Sequence, residues 1–267
     1  MSYYNYIQAK KNNNIVLSKA IYNGSNRDTF KFESFSNWDE AEEYIKNNDY
    51  IYEDFCSRPK PYLDYEIYEN YPYNNDDDIN KEIFLLKMKK LKREILSKLK
   101  KNTYEGLSRL GVKVDPEKIL ISKCHRFIKG NYKISFHMVY NNNICFSSAS
   151  TARALYDTII KYSSDDIIIK GLDSSIYPRS ENSIQKMRTI FSGKNREDKT
   201  KFRSIYDDDE INIKDYLISN TDKFDLIYLV EDEETKEKIN INKRIKPTPT
   251  DDINKALTLK TQYIYNI

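Results

Sequence analysis

At 267 residues and 39% hydrophobic content, the chain can bury a substantial core as one large domain or two closely packed modules. Its 44 basic and 41 acidic residues leave a net charge of only +3, so any attraction for a polyanion must come from local clusters of charge. Cys56, Cys124 and Cys145 lie far apart with no Cys-x-x-Cys pair, which indicates neither a disulfide framework nor a zinc site, and no apolar run is long enough to span a bilayer.

The N-terminal segment lacks the basic and apolar regions of a signal peptide, so a soluble, intracellular protein is expected. Residues 1–28 read as a polar arm with one apolar patch, Ile15-Val16-Leu17. Thr29 to Glu33 alternates like a short strand. Ser36 and Asp39 then resemble a capping box ahead of a helix that ends near Asn47-Asn48. Arg58 and Lys60 follow, placed either to meet phosphate or to flank a turn.

Pro61 to Glu69 is the stretch around which the chain is organised. Tyr, Leu and Ile favour a strand, and alternation puts Tyr62, Asp64, Glu66 and Tyr68 on one face and Leu63, Tyr65 and Ile67 on the other. Two carboxylates held side by side repel each other, a cost most easily tolerated with a hard cation such as magnesium or manganese between them. A solvated acidic face on an edge strand is the competing reading.

An acidic break at Asp76-Asp77-Asp78 opens the longest helical pattern, from about Ile79 to Lys101, with Phe84, Met88, Leu91, Ile95 and Leu99 as its buried stripe. The many lysines on its other faces either track a phosphate backbone or solvate a surface helix. Ile119 to Ser122 reads as a strand, and Gly130-Asn131 turns the chain into Tyr132 to Tyr140. There Ile134, Phe136, Met138 and Tyr140 face the core, and Lys133, Ser135 and His137 share the other face. His137 is either a satisfied structural histidine or part of a polar site.

A helix is expected from about Ser150 to Tyr162, and Ile167-Ile168-Ile169 as a buried strand leading to Gly171-Leu172-Asp173. Asp173 then sits at a strand end, where active-site groups gather, or caps a turn. Arg188 and Lys194 lie on one side of the segment from Lys186 if it is extended. A short helix from Ile213 to Ser219 and a strand from Leu226 to Val230 precede a charged tail, residues 231–267.

Taken together, Leu63-Asp64-Tyr65-Glu66, Lys133-Ile134-Ser135-Phe136-His137 and Leu172-Asp173, followed by Tyr177, Arg179, Met187-Arg188 and Lys194, resemble the archaeo-eukaryotic primase superfamily, closest to its primase-polymerase branch. Arg58 also has a counterpart there. The resemblance covers Phe30 to about Lys194 and implies an α/β (α+β) catalytic core over residues 29–230, with two packed modules, one RRM-like, and the active site in the cleft between them. It implies that Asp64, Glu66 and Asp173 are catalytic and bind two Mg2+ or Mn2+ ions, and that Arg58, Lys133, Ser135, His137, Arg188 and Lys194 hold the nucleotide.

The implied activity is template-directed transfer of nucleotides from (d)NTPs to a 3′-hydroxyl. The implied partners are a single-stranded DNA template with its primer and a separate helicase or other replication protein. No Cys or His follows Cys145, so the zinc module common in that branch is not expected, and there is no phosphate-loop motif for a fused helicase. The abundance of Asn, Ile, Lys and Tyr suits an AT-rich virus or mobile element, hence the cytoplasm or nucleus of a host cell. A metal-dependent nuclease and an inactive nucleic-acid-binding relative are the alternatives.

Overall fold

A computed structural model of the chain describes residues 15–21, 29–55, 57–71, 78–178, 180, 183–194, 199–205, 211–227, 229–231 and 239–241. In chain order its elements are β1 (Ile15–Ile21), β2 (Thr29–Phe35), α1 (Trp38–Asn47), β3 (Ile51–Phe55), β4 (Tyr62–Asn70), α2 (Asp78–Arg109), β5 (Ile119–Lys123), β6 (Arg126–Ile128), β7 (Asn131–Tyr140) and β8 (Ile144–Cys145). They continue as α3 (Arg153–Tyr162), α4 (Asp166–Gly171), β9 (Gln185–Arg188), β10 (Arg203–Ser204), α5 (Ile213–Tyr216), β11 (Asp225–Leu226), β12 (Leu229–Glu231) and β13 (Ile239–Ile241). The fold is mixed α/β, built on antiparallel sheets.

Two sheets carry the structure. The first has the order β2-β1-β3-β9 and the second β10-β5-β7-β4, with β6 also paired to β7. Ile15–Ile21, read from sequence as part of an arm, is instead an interior strand of the first sheet, with Val16, Leu17 and Ser18 buried. Helix α1 covers that sheet through Ala41 and Ile45, which pack with Leu17, Ile51, Ile190 and Leu217. Its cap is one residue later than the sequence suggests. Asn37 accepts from the Glu40 amide at 3.0 Å, and Glu40 reaches back to the amide and hydroxyl of Ser36.

In the second sheet, β4 and β7 pair along their whole length, with Leu63 opposite Met138, Asp64 opposite His137 and Glu66 opposite Ser135. Tyr65, Ile134, Phe136 and Met138 form one face and pack against α2, whose Phe84, Met88, Ile95 and Leu99 are buried as the periodicity predicts. Helix α2 runs past the expected end at Lys101, burying Asn102, Thr103 and Leu107. It stops at Gly111, whose φ of 79° lets its amide and that of Val112 reach back to Ser108 and Leu107.

The expected strand at Ile167-Ile168-Ile169 is a helix, α4. Ile168 is fully buried while Ile167 and Ile169 are only partly so, a one-sided burial that a single helical turn satisfies and a strand buried on both faces does not. Gly171 ends it directly against the Tyr65 ring, where an added Cβ would overlap the ring carbons. That contact delivers Leu172 to the free edge of β4, where it bridges Tyr65. No helix among the described residues is long and apolar enough to cross a membrane.

Candidate functional site

The acidic face of β4 is assembled from three directions. Strand β4 contributes Asp64 and Glu66, β7 contributes Lys133, Ser135 and His137 from directly opposite positions, and the segment after α4 brings Asp173 to the open edge. The Asp173 amide donates to the Asp64 carbonyl at 2.9 Å, fixing the two acids as neighbours. Asp173 also caps a 3-10 turn, accepting from the Ser175 amide at 2.7 Å and the Ser175 hydroxyl at 2.9 Å. Asp173 thus follows a helix, not the strand end expected from sequence, and of the two sequence readings the cap is the one its hydrogen bonds show.

The acids are not equivalent. Burial pushes the Asp64 carboxyl up to about 7, aided by the charges of Asp173 and Glu66 and opposed by Lys133 and Arg188. Its Oδ1 is buried with no hydrogen-bond partner. For Glu66, burial also acts upward, but hydrogen bonds from Lys133 and Tyr68 and the charges of Lys133 and Arg126 outweigh it and hold the carboxyl below its ordinary range.

His137 sits opposite Asp64 with its Nε2 3.6 Å from Asp64 Oδ1, too far for a hydrogen bond. Burial, then Arg188 and Lys133, hold the imidazole well below its usual pKa, with the Arg188 backbone carbonyl pulling the other way. It is therefore neutral at physiological pH. Its ring stacks on Phe202 at 3.7 Å, and the Arg188 guanidinium lies over the same Phe202 ring at 4.5 Å. Arg188 belongs to β9 of the first sheet, so Phe202 is the apolar spacer through which a cation of one sheet reaches the acids of the other. One guanidinium nitrogen of Arg188, Nη1, is buried without a hydrogen-bond partner.

Sequence reasoning missed Phe202 and Arg126, and placed Tyr68 on the acid face without assigning it a role. Arg126 had a signal: Lys129 and Gly130, with φ of 45° and 78°, form a two-residue hairpin turn, and counting outward sets Arg126 opposite Lys133. Other expected residues are placed elsewhere. Arg58, in a left-handed conformation with φ 51°, donates to the carbonyls of Phe224 at 2.6 Å and Thr221 at 3.4 Å, and Thr221 returns a bond to the Arg58 carbonyl at 2.7 Å. Its neighbour Lys60 is fully buried and donates to the carbonyls of Lys214 and Asp215. Both cations thus anchor residues 211–227 to the connection that leads into β4. Lys194 is exposed, its carbonyl accepting from the Tyr52 hydroxyl at 3.3 Å. Arg179, Cys56 and most of the charged tail lie outside the described residues.

Among the described residues, no group of three or more His, Cys, Asp or Glu side chains is already converged as a metal cage. The reason is local: Glu66 turns to Lys133 and Tyr68, and Asp173 to Ser175. The donor set still fits a hard divalent ion. It offers carboxylate oxygens only, and the orphaned Asp64 oxygen is an acceptor that a cation would satisfy. No protein-family model matches the chain, and no curated protein matches it.

Proposed function

We propose that this chain is a metal-dependent nucleotidyl transferase. Within that class, the order of its motifs favours a primase-polymerase of the archaeo-eukaryotic primase kind, extending a DNA primer on a single-stranded template. The observation that carries this reading is the buried, hydrogen-bond-deficient carboxylate of Asp64, flanked by Glu66 and Asp173 and faced by His137 and Arg188. Such a site disfavours its own negative charge until a cation and a phosphate arrive together.

Asp64, Glu66 and Asp173 would hold Mg2+ or Mn2+, which when bound would acidify the attacking 3′-hydroxyl and neutralise charge on the departing pyrophosphate. The chain's own groups do the positioning. Arg188, backed by Phe202, offers a buried donor nitrogen to a phosphate oxygen. The neutral His137 lies beside Asp64 and offers a ring hydrogen bond without adding charge. Lys133 is held in reserve by Glu66; when Glu66 turns toward a cation, the ammonium is free to meet the triphosphate. In the primase-polymerase reading, the two sheets correspond to the two modules of the catalytic core.

The test is incubation of the full chain with an end-labelled primer–template and manganese, with and without nucleotides. Lengthening that requires nucleotides supports the reading. Shortening that does not require them makes the protein a nuclease.

A further inference from the structure

The acid face is not the only place where β7 meets like charges. Beside that strand, next to β5, β6 and β10, lies a cleft of about 520 Å³ whose lining includes Lys123, His125, Tyr132, Lys199, Lys201 and Arg203 and, among the described residues, no acid. Lys123 and Arg203 are directly opposed across β5 and β10. Like charges in that position destabilise a sheet unless an anion lies between them. Lys201 is paired with Asp49, but among the described residues no ion pair is recorded for Lys123, Lys199 or Arg203, and Lys199 and Arg203 are exposed. Among the described residues, then, three of the cleft's four cations have no ion-pair partner, in a concave setting where fields are focused.

Two rings complete it. Tyr132 is held by Lys92, which donates to its hydroxyl at 3.2 Å. His125 stands edge-on to Phe136 and accepts from the Ser135 amide at 3.3 Å, so its ring is fixed by the same strand that carries the acid-facing Ser135 and His137. Tyr132 is buried and forms part of the wall, whereas His125 is partly exposed; a cationic groove with a fixed, accessible ring is the chemistry that takes a sugar–phosphate backbone and a neighbouring base.

We infer that this cleft binds the phosphodiester backbone of single-stranded DNA that enters or leaves the acid site. The identity of the strand as template or primer rests on the polymerase reading. The binding itself does not.

The full chain is titrated by fluorescence anisotropy against a labelled oligodeoxythymidylate of about 20 nucleotides, without divalent ions and at several salt concentrations. The double variant Lys199→Ala/Arg203→Ala is expected to bind about tenfold more weakly and to lose about 1.4 from the slope of log affinity against log salt. A control, Lys87→Ala/Lys90→Ala on exposed positions of α2, is expected to bind as the wild type does. Relief of the Lys123–Arg203 repulsion should leave the cleft variant at least as heat-stable as the wild type, so weaker binding there does not reflect unfolding. Equal weakening in both variants, or none in the cleft variant, overturns the inference. A second arm uses ATP: if the cleft variant loses ATP binding as severely as strand binding, the cleft is a mononucleotide site and the strand assignment is wrong. Wild-type binding lost in the cleft variant without any primer extension by the wild type would sink the polymerase reading and leave this one standing. Extension together with undiminished strand binding in the variant would do the reverse.

Discussion

Asp64 and His137 oppose each other across β4 and β7, with His137 Nε2 3.6 Å from Asp64 Oδ1, and burial disfavours the charged form of both. An ion pair would form in this position if either charge were stabilised. Instead the pair is kept near neutrality by its surroundings, and the cost appears as an unsatisfied oxygen on Asp64. Asp64→Asn should therefore raise the stability of the metal-free protein at alkaline pH by about 1–3 kcal/mol, as seen when an uncompensated buried charge is removed. Urea unfolding checks this. A loss of stability would mean that the carboxylate is structurally satisfied.

Stability should also depend on pH in a particular way. Asp64 and Glu53 are both raised by burial to about 7, from ordinary values of 3.8 and 4.5. Glu53 is fully enclosed, accepting from the amides of Ile218 and Ser219. Between those ordinary values and about 7 the folded chain holds these two protons while the unfolded chain releases them, which lowers stability as pH rises; burial of His137 and His125 holds both below 6.5, so their contribution rises with pH up to 6.5 and offsets that fall. Burial acts oppositely on Lys60, lowering it from 10.5 to about 8, so stability recovers between those values as pH rises further. Urea midpoints of the metal-free protein should therefore change little up to about pH 6.5 and dip to a minimum near pH 7–8, with Asp64→Asn and Glu53→Gln each tilting the acid side toward a rise with pH. A steady rise from pH 4.5 to 7 would contradict it.

Gly171→Ala should be among the most damaging single-methyl changes in the chain. The new Cβ would overlap the Tyr65 ring, which cannot swing away because it is fully buried and its hydroxyl donates to the Ile167 carbonyl at 3.0 Å. Overpacking of this kind costs about 1–3 kcal/mol. It should also push Leu172 and Asp173 off the edge of β4, so nucleotide incorporation should fall more than stability explains. Thermal unfolding and incorporation measured on the same preparation test this. An unchanged melting temperature would show that the contact yields easily.

Arg58→Ala separates a structural from a nucleotide-binding cation. The guanidinium is committed to the Phe224 and Thr221 carbonyls, so its loss should cost about 1–3 kcal/mol in unsatisfied acceptors and leave the nucleotide KM unchanged. A raised KM with full stability would return Arg58 to the role its position in the sequence suggested.

The two strands that build the site were legible because alternation needs no knowledge of partners. Asp64 with Glu66, and Lys133 with Ser135 and His137, share faces by parity alone. The register that sets Asp64 against His137 was not legible, since it is fixed by pairing between distant segments. Ile167-Ile168-Ile169 misled for a related reason: a β-branched run signals burial, but not that only Ile168 would be fully covered, which one helical turn satisfies. Arg58 shows the limit of reading charge. A cation next to an acidic strand reads as a phosphate ligand or a turn flank, and nothing in the sequence points to its hydrogen bonds with carbonyls more than a hundred positions away. Phe202 carried no signal, because its importance lies in the His137 and Arg188 groups that flank it.

The most direct measurement is extension of a labelled primer on a DNA template by the wild type and by Asp64→Asn, side by side, with manganese and all four nucleotides. The account predicts that the wild type lengthens the primer and that Asp64→Asn, folded and at least as stable, is slower by at least about a hundredfold. Extension by Asp64→Asn at the wild-type rate would contradict the assignment of this carboxylate, and with it the site.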